Sequence, residues 1–387
     1  MTFDANDHAH MSRALQLAAR GLYTTDPNPR VGCVIVAGGV VVGEGFHARA
    51  GEPHAEVHAL RAAGDRTRGA TVYVTLEPCS HHGRTGPCAD ALIAAEPARV
   101  VVAMQDPNPQ VSGEGIRKLR AAGIAVDVGL LESEARALNP GFVSRMTRGR
   151  PYVRVKLAMS LDGRTAMASG ESRWITGPEA REDVQRLRAR SGAVLTGTGT
   201  LLADDPALTV RAGDWKFGRY EAHGELPVRQ PLRVLLDREL RGSPSAQLFA
   251  GAPAAAPVLV CASAAALAQS PGRERAAALG AGPGVEVIGL PPAAGGLDLH
   301  ALLASLAGRG VNELLVEAGA GLAGAFVAGG LADELVVYLA PALLGSSARP
   351  LLELPIATMA GKVAVVFREV RPVGADIRMI ARFDTAL

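Results

Sequence analysis

Aromatic residues are scarce in this chain, 4% of 387 residues, with two tryptophans among them. Proteins that hold single-stranded nucleic acid stack bases on aromatic side chains, so the scarcity argues against that class. Charge of one sign is also missing: 40 Lys and Arg against 38 Asp and Glu leave a net charge of +2, with no long basic block. A dedicated nucleic-acid binder carries a basic patch or stripe. Cysteines number four, Cys33, Cys79, Cys88 and Cys261, and nothing in their spacing suggests a disulfide framework, which fits a reducing compartment. The apolar stretch near residues 314–331 is broken by Glu317 and by glycines, so it does not read as a membrane span. Met1 to His10 is polar and acidic and lacks the apolar core of a signal peptide. The expectation is a cytoplasmic protein that engages neither membrane nor nucleic acid.

What is present reads as globular: 48% hydrophobic and 20% charged residues, on a chain long enough for two or three domains with real cores. Helical periodicity runs over 7–21 and closes at Gly21. Val31–Val36 and Val40–Val42 read as strands around a Gly38-Gly39 turn. Further along, 54–63, 88–95 and 114–122 read as helices, and 71–76, 99–104 and 125–128 as strands. This alternation predicts a layered α/β domain, with ligands at the carboxyl ends of its strands. A boundary is placed near Asn139–Pro151, where Asn139-Pro140-Gly141 and the basic run from Arg145 to Pro151 read as a linker or, in part, as helix or substrate contact. A second α/β pattern follows, with strands at 152–159, 193–196, 232–236, 257–260, 285–288, 313–317 and 333–340 and helices at 178–190, 298–307 and 321–329. Segments 212–230 and 262–282 read as surface loop or helical insertions. The expected domains are 1–148 and 149–387.

Residues 54–88 carry the densest chemistry: His54-Ala55-Glu56, then Pro78-Cys79, then Cys88. Catalytic zinc takes three protein ligands and keeps a fourth position for water. It lowers the pKa of that water to about 7, and a carboxylate nearby can move the proton to a leaving amine. His54, Cys79 and Cys88 are the expected zinc ligands and Glu56 the proton shuttle. The arrangement follows an established zinc-deaminase signature. Buried core residues, or a structural four-ligand site drawing on His58, His81 or His82, are the competing readings; Glu56 has no evident task in either. Cys33 and Cys261 sit in apolar runs and read as small buried hydrophobes.

The second half is less explicit. Lys156–Gly163 ends a strand in a polar turn, Gly197-Thr198-Gly199-Thr200 follows an apolar run, and Glu317–Gly324 is a glycine-rich strand-to-helix turn. Bare backbone N–H groups at a helix N-terminus make a natural phosphate seat. Close packing explains many such glycines equally well, and the full Gly-x-Gly-x-x-Gly setting of a Rossmann unit is absent.

Asp26–Gly32, Gly45-x-His47, His54-Ala55-Glu56 and Glu77–Cys88 resemble the N-terminal half of bifunctional riboflavin-biosynthesis proteins, which pair a pyrimidine deaminase with a reductase. The spacer of eight residues between the cysteines is the discriminating detail, since cytidine and tRNA-adenosine deaminases put two there. In the spacer, His81, His82 and Arg84 are candidates to approach a phosphate or ring. The second half resembles the reductase half of the same family over Lys156–Thr165, Ser172–Thr176, Leu187-Arg188, Gly197–Arg211 and Glu317–Ala325.

The resemblance implies a cytidine-deaminase-like α/β/α layered domain followed by a dihydrofolate-reductase-like α/β domain, with Zn2+ and NADPH as cofactors. It implies substrate contacts from Asn28, His47, Asp106 and Asn108 in the first half, and from Ser172, Arg188, Leu208, Arg211 and Glu317 in the second. Ala158, Trp174, Thr200 and Asp204 face the cofactor, as do Gly319, Ala320, Gly321, Leu322, Ala323, Gly324 and Ala325. Lys156 and Asp204 are candidate catalytic groups near the reacting sugar carbon. Arg188 and Arg211 are candidates to clamp a ribose 5′-phosphate. Arg238 departs from the family's small hydroxyl residue, which puts a cofactor contact there in doubt. The implied activity is deamination of 2,5-diamino-6-(5-phosphoribosylamino)pyrimidin-4(3H)-one, then NADPH reduction of the ribosyl group of 5-amino-6-(5-phosphoribosylamino)uracil to ribityl. The expected partner is a small pyrimidine ribose phosphate, on a homo-oligomer. The rival readings are a tRNA-type base deaminase with an accessory domain and a zinc-stabilised interaction module.

Overall fold

The computed structural model describes residues 3–80, 86–109, 111–211, 228–250 and 256–383. They form two compact units, the first ending at Arg150 and the second beginning at Pro151. The spacer residues His81, His82 and Arg84, and most of 212–230, lie outside the described residues.

The first unit contains α1 (Ala5–Ala19), β1 (Gly32–Ala37), β2 (Val40–Phe46), α2 (Ala55–Ala63), β3 (Thr71–Val74), α3 (Cys88–Ala95), β4 (Arg99–Val102), α4 (Glu114–Ala121), β5 (Ala125–Val128), α5 (Glu132–Leu138) and α6 (Pro140–Arg148). Its sheet runs β2-β1-β3-β4-β5, with β1 antiparallel to β2 and β3, and β3, β4 and β5 parallel. Strands β3 (Thr-Val-Tyr-Val) and β4 (Arg-Val-Val-Val) are buried beyond their first residues, as expected of strands covered on both faces. Gly32 sits against Ala14 of α1, whereas Gly45, which pairs with Cys33, sits against Ala55 of α2. Adjacent strand residues point to opposite faces, so α1 and α2 flank the sheet from opposite sides. That is the α/β/α layering expected from the sequence. The core joins Met11 and Ala14 of α1 to Ile35, Val74, Val101 and Leu119.

In the boundary segment the structure takes the helical alternative over the linker. Pro140 opens α6 at its first turn and Gly149 closes it, and Phe142 and Ser144 are buried. Helix α6 therefore belongs to the first unit's core.

The second unit contains β6 (Tyr152–Ser160), β7 (Arg164–Ala166), α7 (Pro178–Arg190), β8 (Ala193–Gly197), α8 (Thr198–Asp204), β9 (Leu232–Leu236), β10 (Val258–Ser263), α9 (Ala264–Ala268), α10 (Ser270–Gly280), β11 (Val285–Leu290), β12 (Pro292–Ala293), β13 (Gly296–Leu297), α11 (Leu299–Gly308), β14 (Glu313–Glu317), α12 (Ala320–Ala328), β15 (Glu334–Ala340), β16 (Arg349–Pro350), β17 (Val365–Val373) and β18 (Asp376–Phe383). Its main sheet runs β11-β10-β9-β8-β14-β6-β15-β18-β17, parallel from β11 to β15 and closed by the antiparallel pair β18 and β17. The segment 262–282 is helical, forming α9 and α10. Where the parallel strands start, the buried Arg154 pairs with Glu313 and with Glu334 at 2.7 Å. A buried guanidinium needs such partners, and this one ties β6, β14 and β15 together at the end of the sheet opposite Glu317.

Candidate active sites

In the first unit, α2 delivers the histidine. A Cβ at Gly45 would stand 2.3 Å from the Ala55 carbonyl oxygen, so only glycine lets the start of α2 lie this close to β2. His54 is the residue just before the helix, with extended backbone and no capping bond from its side chain, which frees its ring. Glu56 falls in the first helical turn, where the helix dipole favours an anion. Cys79 follows the end of β3, and Cys88 opens α3 with its backbone N–H donating to Cys79 Sγ at 3.3 Å.

The donor atoms of His54, Cys79 and Cys88 all lie within 4.8 Å of one another. His54 Nδ1 is 3.6 Å from Cys79 Sγ and 3.3 Å from Cys88 Sγ. A tetrahedral zinc with ordinary bond lengths sets nitrogen and sulfur donors about 3.6 Å apart, so the set fits that ion. A hydrogen bond from the Cys88 thiol, against burial and with help from His54, holds the Cys79 thiol down to about 4. The same bond and burial push the Cys88 thiol up. Zinc takes thiolate ligands, and its binding displaces thiol protons.

Glu56 is 3% exposed. Burial pushes its carboxyl up to about 7, the Cys79 thiolate adds to the rise, and His54 opposes it. Such a group can hold or release a proton near neutral pH. His47 has its Nδ1 3.1 Å from the Pro53 carbonyl oxygen and its Nε2 3.0 Å from Asn28 Nδ2. Donation from Nδ1 to the carbonyl assigns the neutral tautomer, and burial, the largest influence, lowers the ring's basicity. A cavity of about 630 Å³ opens here, lined by Asn28, His47, His54, Glu56, Cys79, Asp106 and Asn108. Among the described residues, these are all the expected ligands, proton shuttle and substrate contacts of the first half except the buried Cys88. The cavity also takes in Arg145, part of the basic run that the sequence left open as substrate contact, and Glu77, to which the sequence reading assigned no role.

In the second unit, β6 pairs with β14 so that Lys156 stands opposite Glu317, where β14 ends. Glu317 accepts two hydrogen bonds from Arg188, Nε to Oε1 at 2.6 Å and Nη2 to Oε2 at 2.9 Å. Arg188 Nη1 also donates to the Thr209 carbonyl oxygen at 3.1 Å. Arg188 is thus engaged across the sheet and holds the 205–211 loop, a different task from the phosphate clamp read in the sequence. Burial would raise the Glu317 carboxyl, but Arg188, Lys156 and Arg211 hold it below the usual carboxylate range. Burial lowers Lys156, and Arg188 adds to that while Glu317 opposes it. Its Nζ lies 5.7 Å from the centre of the Tyr338 ring.

Ser172 and Asp204 come together. Ser172 Oγ donates to Asp204 Oδ1 at 3.2 Å, and Arg173 donates to the Asp204 carbonyl oxygen. Trp174 is 70% exposed, with Arg181 4.6 Å from its ring centre, so much of the indole surface faces solvent. Leu208 has φ +55° and its side chain is buried in the core, which leaves its main chain for any ligand contact. In the Gly319–Ala325 turn, Gly319 precedes α12, while Gly324 packs on the main chain of Glu353, 2.2 Å from where its Cβ would be. Packing therefore explains Gly324, and the exposed Gly319 and Gly321 are the ones left to face a phosphate. Arg238 is exposed and pairs with Glu239 at 3.1 Å.

Comparison with known proteins covers nearly the whole chain. A family profile described as the cytidine and deoxycytidylate deaminase zinc-binding region matches residues 4–104, and one described as the RibD C-terminal domain matches 151–378. The chain is 52% identical to the riboflavin biosynthesis protein RibD of Escherichia coli over 96% of its own length and 98% of that protein's. It is 47% identical to the protein of that name from Haemophilus influenzae, with 98% of each covered. The solved structure of Acinetobacter baumannii RibD superposes with a TM-score of 0.87 at 45% identity, covering 98% of this chain and 99% of that one. A Thermotoga maritima structure described as a diaminohydroxyphosphoribosylaminopyrimidine deaminase/5-amino-6-(5-phosphoribosylamino)uracil reductase gives 0.81 at 33% identity, with the same coverage.

Proposed function

The chain belongs to the RibD family of riboflavin-biosynthesis deaminase/reductases, and from that premise we propose how its residues divide the two reactions. It is a bifunctional enzyme using Zn2+ and NADPH. We assign deamination to residues 1–148 and reduction to 149–387. The observation that carries the first assignment is the cluster of three donors beside Glu56 at one cavity. His54, Cys79 and Cys88 hold the zinc, which when bound supplies the Lewis acidity that makes water a nucleophile at neutral pH. Glu56 takes the proton of the attacking water and passes it to the departing amine nitrogen, so that ammonia leaves. Asn28, His47, Asp106 and Asn108 orient the pyrimidine ring, and Arg145 on α6 meets the negative charge of the ribose phosphate.

In the second unit NADPH supplies the hydride, and the chain orients it. Lys156 is the candidate to protonate the sugar oxygen as the ribosyl group is reduced. Glu317 and Arg188 hold its surroundings, and Arg211 meets the phosphate. Asp204, fixed by Ser172 and Arg173, sits where Trp174 and Thr200 face the cofactor, with Ala158 and the 319–325 turn, through its exposed Gly319 and Gly321, completing that side.

The substrate is a free small pyrimidine ribose phosphate. Net charge and the eight-residue spacer support that reading over tRNA. Among the described residues no helix is long and apolar enough to cross a membrane. Thiol ligands need a reducing compartment, which supports a cytoplasmic location.

Chelation tests the division of labour. Stripping zinc should abolish ammonia release from the diaminopyrimidine substrate and leave NADPH oxidation with the deaminated intermediate intact; restoring zinc should restore deamination. Equal loss of both activities would overturn the assignment.

We also propose that the chain self-associates through β17. Among the described residues this edge strand pairs with β18 alone, and its Val366, Phe367 and Val370 are 43%, 61% and 58% exposed. An exposed apolar edge strand invites pairing with a second copy. Phe367→Glu should shift the protein toward monomer by light scattering, and an unchanged mass would sink the proposal.

A further inference from the structure

Glu77 is 3% exposed and has no cationic partner among the described residues. Its two oxygens instead accept four backbone N–H groups. Oε2 takes those of Asp106 at 3.1 Å and Gly113 at 2.9 Å, and Oε1 takes those of Gly115 at 2.9 Å and Ile116 at 3.3 Å. Helix N-termini leave such donors unpaired and usually recruit a side chain just before the helix. Here that position is Gly113, with φ +83° and no side chain to offer, and the cap comes from the strand end that carries Cys79. A cap would need only the donors at Gly113, Gly115 and Ile116. The bond to Asp106 reaches the other end of the same loop. Asp106 in turn accepts from the Asn108 backbone N–H at 2.8 Å.

Two further contacts fasten the same parts. A Cβ on Gly115 would lie 2.0 Å from the Pro78 carbonyl oxygen, so α4 sits directly on the segment before Cys79. Lys118 Nζ donates to the Ser80 carbonyl oxygen at 3.2 Å, on the segment after it.

We propose that Glu77 is a positioning residue for deamination, whose carboxylate sets Asp106 and Asn108 at a fixed offset from the metal ligand Cys79. The proposal rests on the reading of Asp106 and Asn108 as substrate contacts. Misplacing substrate by about 1 Å can cost on the order of 100-fold in rate, so a loop held by one buried carboxylate is a sensitive point.

Glu77→Gln keeps the volume but turns one terminal atom into a donor. Whichever way the amide sits, two of the four N–H groups then face another donor. The expected result is a fall in deaminase kcat/KM of about 10–100-fold, carried mainly by KM, with one zinc per chain retained. NADPH oxidation by the same chain, unchanged within twofold, reports intact folding. Because Glu77 acts through the loop, Glu77→Gln combined with Asn108→Ala should cost less than the product of the single effects. Glu77→Asp, which keeps both acceptor oxygens, should recover part of the loss, and it takes over the test if the Gln variant loses the reductase as well. The proposal is overturned if deamination by these variants matches the parent, if the effects of Glu77→Gln and Asn108→Ala simply multiply, or if zinc is lost while the reductase persists. Asp106→Asn and Asn108→Ala made alone separate the two readings. If both are silent, the substrate-contact reading fails. If they impair deamination while Glu77→Gln is silent, only the positioning role fails.

Discussion

Glu56→Gln is expected to lower the deamination rate by about 10²–10⁴-fold, the range that a positioned general acid–base contributes. The amide fills the same space and cannot carry the proton. The zinc donors His54, Cys79 and Cys88 are untouched, so metal content should stay at one per chain. The reductase lies in the other unit and should oxidise NADPH at the parental rate. Ammonia release, zinc analysis and NADPH consumption on one purified preparation make the test internally controlled. A deamination rate unchanged within twofold would remove Glu56 from the mechanism. Loss of zinc along with activity would recast it as a residue that retains the metal.

Glu317→Leu is expected to cost the second unit about 3–5 kcal/mol, because removing one partner of a buried pair strands the other charge. Here Arg188 loses both of its carboxylate bonds, and Lys156 beside it loses the attraction that favours its charge. For a domain of this size the melting temperature should fall by about 6–20 °C, and reductase activity should go with it. The pH dependence has a definite sign. The Glu317 carboxyl is held below the usual range, so its stabilisation is complete above its unfolded pKa of about 4.3 and is lost as pH falls through the folded value. The gap in melting temperature between parent and variant should therefore narrow from pH 6 toward pH 3. A gap that widens on acidification, or a melting temperature equal to the parent's at pH 7, would contradict the pairing.

The candidate zinc ligands and Glu56 stood out in the chain because each sits at an element boundary within a short motif. His54 ends the turn into α2, Cys79 follows β3, and Cys88 opens α3. Period and punctuation locate such boundaries. Glu77 stood in the same motif, yet its role was invisible there. Its four donors lie 29 to 39 residues further on, and nothing local marks a carboxylate that caps another strand's helix. For α6 the chain left linker, helix and substrate contact open, because Pro140, Gly141 and three arginines within 145–150 look like punctuation and charge. Pro at a first turn and Gly after a last one are equally the marks of a helix, and Phe142 decides it by being buried.

The C-terminal hairpin β17–β18 was missed for a similar reason. Its apolar residues are largely exposed, so burial leaves no clean alternation to detect. Arg188 and Glu317 are 129 residues apart. By resemblance each reads as a ligand for substrate; only the docking of α7 against the end of β14 shows that they hold one another.

By itself, then, the sequence determined the two-unit α/β architecture, marked His54, Cys79, Cys88 and Glu56 as candidates and, through its resemblance to a known family, paired deamination with reduction. Those depend on local periodicity and on side-chain types at short spacing. The tertiary structure alone decided which charges neutralise one another, which loops are tied to the metal-binding strand, and which glycines exist for close packing. Those properties belong to contacts between residues far apart in the chain, and they come into being only when strand register and helix docking bring the partners within hydrogen-bond reach.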